Sequence, residues 1–119
     1  MRSRATVETK RRNVYVYETS NGKFPFDDWL AQLRDPRSRA KVQVRIDRLE
    51  EGNFGDFKPV GEGVLELRID FGPGYRVYCA KFDTSIVLLL CGGDKSTQTK
   101  NIKTAISYWQ EYKKQNGRN

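Results

Sequence analysis

The sequence contains no histidine. Its absence removes the commonest general base and the commonest metal ligand. Cysteine is scarce as well. The two present, Cys79 and Cys91, sit in apolar, strand-like surroundings. That argues against a zinc site and against a disulfide framework, and both thiols are expected to be small core residues in a reducing compartment. No apolar run approaches ~18 residues, so no membrane span is expected. The opening stretch, MRSRATVETKRRN, is basic but has no apolar segment of the kind a secretory signal needs. The expected location is therefore cytoplasmic. Acidic charge is the minority sign, with 15 Asp and Glu against 22 Lys and Arg and a net charge of +7. Such a balance suits a polyanionic partner.

What is present points to one domain over residues 1–119, with residues 1–12 as a flexible basic arm. Residues 13–18, NVYVYE, alternate β-branched and aromatic side chains and read as a strand. In FPFDDWLAQL, Phe26, Trp29, Leu30 and Leu33 recur at helical spacing, which predicts a short amphipathic helix over 24–33. The aromatic side chains Phe24, Phe26 and Trp29 are expected in its core face. Asp35-Pro36 reads as an N-cap followed by proline at the first helical position. A second helix over 36–51 has Val42, Ile46 and Leu49 as its apolar stripe and ends at Gly52. Its arginines and lysine, Arg37, Arg39, Lys41, Arg45 and Arg48, are expected on a solvated face.

Residues 53–63, NFGDFKPVGEG, read as a loop. Strands are predicted over 64–71, 75–82 and 85–91, joined by turns short enough to make them antiparallel neighbours. The last of these, SIVLLLC, is apolar at nearly every position and is expected to be central and covered on both faces. A final helix over 97–114 has Ile102, Ala105, Ile106, Trp109 and Tyr112 as its buried face. The expected fold is α+β, an antiparallel sheet flanked by helices in the order β-α-α-β-β-β-α.

The chemistry concentrates in LELRIDFGPGYRVYCA, residues 65–80. Strand alternation puts Leu65, Leu67, Ile69 and Phe71 on one face, expected to be the core, and Glu66, Arg68 and Asp70 on the other. If Val77 and Cys79 share the core face, Arg76 and Tyr78 fall beside Glu66 and Arg68. An open sheet face with two guanidiniums, a carboxylate and a phenol results. Two readings stay open. Cross-strand charge pairing contributes ~0.2–1 kcal/mol and is favoured from the hairpin alone. The other is a phosphate site, because arginine offers a permanent charge and a planar fork to phosphate oxygens.

GGDKST, residues 92–97, lacks the glycine spacing of a phosphate-binding P-loop. Asp94 or Ser96 is nonetheless placed to cap a helix whose start favours anions, with Lys95 at that entrance. A plain strand-to-helix turn explains the same residues.

Taken in order, ELRI, GYRVY and GGDKSTQ resemble the RelE/ParE toxin superfamily, and most closely its HigB-like, phage-derived Gp49-like addiction-module killers. The resemblance covers most of the chain, leaving out the basic arm and the tail. It implies a compact RelE-like fold and the toxin role in a type II toxin–antitoxin pair. It also implies a small helix-turn-helix antitoxin as partner. RelE-like members cleave mRNA in the ribosomal A site, whereas ParE-like members inhibit DNA gyrase. Carried over by motif, the arginine that contacts the scissile phosphate matches Arg76. The paired basic positions of the preceding strand read Glu66 and Arg68, so one charge is kept and the other inverted. The basic residue after the last strand matches Lys95. The tyrosine that some members carry near the C-terminal end aligns with Asn101.

The activity this implies is a ribosome-dependent mRNA endoribonuclease that uses no cofactor, no metal and no small-molecule substrate. Arg68 and Arg76 are the candidates for stabilising phosphorane charge. Glu66 is a base if its surroundings raise its pKa, or else orients the arginines. Lys95 and Tyr78 are candidates for leaving-group protonation or stacking. A gyrase-directed inhibitor and a non-catalytic nucleic-acid-binding module are the alternatives.

Overall fold

The computed structural model describes residues 11–117. The predicted basic arm lies outside them except for its last two residues. Of these, Arg12 is fixed rather than mobile: its N–H donates to the Glu50 carbonyl at 2.8 Å and its Nη1 to the Thr84 carbonyl at 2.9 Å.

The elements are β1 (Asn13–Val16), α1 (Pro25–Gln32), α2 (Pro36–Glu50), β2 (Phe57–Gly61), β3 (Val64–Ile69), β4 (Tyr75–Phe82), β5 (Ile86–Asp94) and α3 (Gln98–Gln115). A single 3-10 turn, Lys95–Thr97, leads into α3. The fold is α+β, as expected, with the five strands in the order β1-β5-β4-β3-β2. Strands β2 to β5 are antiparallel, and β1 adds to β5 in parallel at one edge.

Helix α2 starts where the sequence placed it. The Asp35 side chain accepts from the Arg37 N–H at 2.9 Å and Pro36 occupies the first turn, where no N–H is needed. The segment expected to be a loop, 53–63, instead contains β2. Its Pro59 and Gly61 disguised it, yet proline is tolerated on an edge strand, where one side of the backbone has no partner. The β2–β3 turn has Glu62 and Gly63 both at positive φ, the geometry of a tight two-residue hairpin.

The sheet is covered on both faces. Against α1 and α2 lie Leu67, Ile69, Val77, Cys79, Val87 and Leu89, packed with Phe26, Val42, Ile46 and Leu49. Against α3 lie Val64, Tyr78, Ala80, Leu88, Leu90 and Cys91, packed with Ala105 and Trp109. Strand β5 is central and buried on both sides, as its continuous apolar run requires. It does not stop before its two glycines but runs through them. A Cβ on Gly92 would fall within the Trp29 ring, and one on Gly93 would collide with the Asn101 amide. The pair lets α1 approach one face of β5 and α3 the other.

Two expectations about α1 and α2 are corrected. Phe26 is buried and Trp29 partly so, but Phe24 precedes α1 and is exposed. Arg45 is not on the solvated face. It is buried and donates to three carbonyls, those of Phe54 (2.6 Å), Asp56 and Arg68 (3.3 Å). Those carbonyls belong to the approach to β2 and to β3, so one guanidinium ties α2 to the sheet edge. Burial lowers the Arg45 pKa, with the Asp56 charge acting in opposition.

Candidate active site

The β3–β4 register sets Glu66 opposite Tyr78 and Arg68 opposite Arg76. The alternation read from the sequence therefore brings all four onto one face. That face is not open along its whole length. It passes from beneath α3 at Glu66 and Tyr78, both fully buried, to solvent at Arg68. The expected open polar face is corrected on this point, because α3 begins directly above it.

Glu66 is the hub. Its Oε2 accepts from Tyr78 Oη at 2.9 Å and from Gln98 Nε2 at 2.8 Å. Its Oε1 accepts from Arg68 Nε at 3.2 Å, and Arg76 Nε lies 3.5 Å from Oε2 as an ion pair. A buried carboxylate is costly unless it is hydrogen-bonded and paired. Here three hydrogen bonds and the Arg76 charge do both, although Arg76 Nε is itself buried without a hydrogen-bond partner. Burial pushes its pKa up, but the hydrogen bonds from Gln98, Tyr78 and Arg68, with the Arg76 charge, outweigh burial and hold it below its ordinary value. The condition under which Glu66 would be a base, a raised pKa, is not met. Tyr78 is driven the other way: burial and its hydrogen bond to Glu66 raise its pKa, so the phenol stays protonated and committed to the carboxylate.

The two arginines carry this anchored charge outward. Arg76 is nearly buried and donates from Nη1 to the Gly74 carbonyl at 3.1 Å. Arg68 is partly exposed. Both line a cleft of about 260 Å³ with Lys95, the Gly72-Pro73-Gly74 turn, Tyr75 and the carboxylates Asp56 and Asp70. Among the described residues, Arg68 Nη1 and Nη2, Arg76 Nη2 and the Lys95 ammonium donate to no protein acceptor. Several cationic N–H groups at one opening thus lack protein partners.

Lys95 is delivered by the turn before α3. Asp94 caps that turn, accepting from the Ser96 N–H at 2.9 Å and from the Ser96 hydroxyl at 2.6 Å, while its own N–H donates to Thr97 Oγ1. The Ser96 hydroxyl is the foremost cause that lowers the Asp94 pKa. With that carboxylate engaged, Lys95 stands exposed and also borders a shallow hollow shared with Lys100 and Lys103. Asn101, at the position where some relatives are expected to carry a tyrosine, faces inward and accepts from Thr97 Oγ1 at 2.5 Å.

All five candidates, Glu66, Arg68, Arg76, Tyr78 and Lys95, lie around one end of the β3–β4 hairpin, with the first four in direct contact and Lys95 across the cleft. Gln98 was not singled out, although it stands within the GGDKSTQ motif. Arg45 did carry a sequence signal, since it shares the i, i+3, i+4, i+7 stripe with Val42, Ile46 and Leu49. Among the described residues, no three His, Cys, Asp or Glu side chains are grouped to hold a metal ion, and no helix is long and apolar enough to cross a membrane.

Residues 28–111 match the family described as phage derived protein Gp49-like (DUF891). The chain belongs to this family. An uncharacterized protein of Haemophilus influenzae (strain ATCC 51907 / DSM 11121 / KW20 / Rd) is 56% identical over 86 residues, which cover 72% of this chain and 87% of that protein. The family match spans α2, all of β2 to β5 and most of α3, and so includes every residue of the cluster around Glu66.

Proposed function

We propose that this Gp49-like protein is the toxin of a type II toxin–antitoxin pair and cleaves mRNA on the ribosome, without a metal, as RelE-like proteins do. One observation carries the reading: two guanidiniums face each other across β3 and β4 at a cleft, fixed from behind by a buried, ionised Glu66. Preorganised cationic donors of this kind favour a phosphate whose charge increases during reaction.

In this reading the substrate's 2′-oxygen attacks the adjacent phosphorus. The bond from phosphorus to the 5′-oxygen breaks, leaving a 2′,3′-cyclic phosphate and a 5′-hydroxyl. Arg68 and Arg76 hold the equatorial oxygens, and the Lys95 ammonium at the cleft gives its proton to the departing 5′-oxygen. Glu66 orients rather than accepts a proton, because its oxygens are already filled. Tyr78 is a positioning residue for the same reason. The proton-accepting step is assigned to a carboxylate lining the cleft, Asp56 or Asp70. A site with no imidazole depends on close alignment of the strand, which a ribosome supplies.

The test is a reconstituted reaction. Purified ribosomes programmed with a defined mRNA are mixed with the protein and with Arg76→Ala. Cleavage with ribosomes, none on free mRNA, and none with the variant are expected. Intact mRNA in every reaction refutes the nuclease and redirects the assay to DNA gyrase.

A further inference from the structure

Beside the cleft, on the outer side of α2, lie two adjoining hollows of about 240 and 310 Å³. Phe71 and Val44 line both, and their basic rim is Arg37, Lys41 and Arg48. Val44 is 45% exposed and, with the exposed Ala40 one turn earlier, forms an apolar strip on the outer side of α2. The Phe71 ring packs partly against the core, and two cations stand over it. Arg37 Cζ is 5.9 Å and Lys41 Nζ 5.6 Å from its centre. Both lie within the ~6 Å of a cation–π contact. Both side chains are exposed on the helix surface, so a base entering the groove displaces them from the ring and meets their charge at its edge.

The groove is continuous with the cleft. Arg68, Ile69 and Asp70 line both. β3 ends at Ile69 and the Phe71 N–H turns back to the Ile69 carbonyl at 3.0 Å, so Phe71 follows Arg68 around a bend and lies within ~10 Å of it along the chain. One strand that places a phosphate at Arg68 therefore reaches Phe71 with a neighbouring nucleotide.

We propose that Phe71 is a base-stacking platform, and that the α2 groove holds a nucleotide flanking the phosphate bound by Arg68 and Arg76. Single-stranded RNA is read by stacking splayed bases on aromatic rings, with cations tracking the backbone. Phe71 supplies the ring, Lys41 and Arg48 the cations. Asp70 separates this occupant from an acidic peptide. Its exposed carboxylate on the shared wall repels a run of carboxylates, but accepts a hydrogen bond from a base amino group. The inference rests on the nuclease reading for its substrate class, and the test separates the two.

The probe is a fluorescent RNA hexamer, 2′-O-methylated so that it is not cut, alongside a hexamer of the same backbone without bases. Binding to the full chain is measured by anisotropy for the wild type, Phe71→Leu and Phe71→Trp. Leucine keeps the apolar contact to the core but has no π face. The expected result is about 10-fold weaker binding of the base-bearing hexamer by Phe71→Leu, with Phe71→Trp retained. The abasic hexamer is expected to bind all three proteins equally, which makes the ratio independent of the folded fraction. Equal binding of the base-bearing hexamer by wild type and Phe71→Leu, or an equal loss on both probes, overturns the proposal and leaves the groove to a protein partner or to packing. No binding by the wild type at low salt also overturns it. Stacking without mRNA cleavage on ribosomes retains the groove and refutes the nuclease. Cleavage with no Phe71 effect does the reverse.

Discussion

Replacing Glu66 by glutamine removes one charge and keeps the shape. The carboxylate now receives Tyr78 and Gln98 on one oxygen and Arg68 on the other. A carboxamide has a single acceptor oxygen. Turned one way, its NH2 faces Arg68 Nε, and turned the other way it faces Gln98 Nε2. Either orientation leaves a donor opposed by a donor, and Arg76 loses its counter-ion at 3.5 Å. Losing a hydrogen bond to a charged group costs ~1.5–3 kcal/mol, and leaving a buried charge unpaired costs ~3–5 kcal/mol. Arg68 is 38% exposed in its side chain, so solvent screens its share. The expected loss is about 3 kcal/mol, which for a chain of this size lowers Tm by roughly 12 °C. The loss depends on pH with a definite sign. Glu66 titrates below its unfolded value, so its stabilisation is complete above ~4.3, the ordinary glutamate pKa, and disappears as pH falls through the lower folded value. Melting curves of both proteins, followed by circular dichroism from neutral pH into acid, read this directly. The gap in Tm is expected to be full at neutral pH and to close in acid. A gap below a few degrees, or one that ignores pH, refutes the hub role.

Other consequences are open to measurement. Tyr78→Phe and Gln98→Ala each remove one donor to Glu66. Each is expected to cost ~1.5–3 kcal/mol and to lower the rate of mRNA cleavage by loosening both arginines; wild-type rates in both would place the arginines under other control. Arg45→Ala strands three carbonyls near β2 and is expected to cost ~3–5 kcal/mol in urea unfolding, whereas Arg48→Ala on the same helix is expected to change stability by less than ~0.5 kcal/mol. Burial pushes the Cys79 and Cys91 thiols up to about 12. Neither is expected to react with a disulfide reagent at mildly alkaline pH until the chain is unfolded, and rapid labelling of the folded protein would contradict that burial.

The elements legible in the sequence were those whose signals are local. Pro36 after Asp35, the helical spacing of Phe26 to Leu33, and the apolar run of β5 each follow from one stretch of chain. The grouping of Glu66 and Arg68 with Arg76 and Tyr78 was legible too, because the short turn at Gly72–Gly74 makes the strands neighbours and alternation fixes the face. What escaped depends on residues distant in sequence. Pro59 and Gly61 read as breakers until β3 supplies the edge on which they are tolerated. The expected open face ignored α3, whose start at Gln98 closes over Glu66 and Tyr78. That closure converts a carboxylate considered as a base into a filled, ionised anchor. Arg45 read as one basic residue among five, although its place on the apolar stripe marks it as buried.

The claim that most needs testing is that Arg76 holds the phosphate cut by this protein. The protein and Arg76→Ala are expressed under tight control and the 5′ ends of cellular transcripts are mapped. New ends within translated frames that vanish in the variant are the predicted result. Ends that persist with Arg76→Ala, or growth arrest with transcripts intact, contradict it.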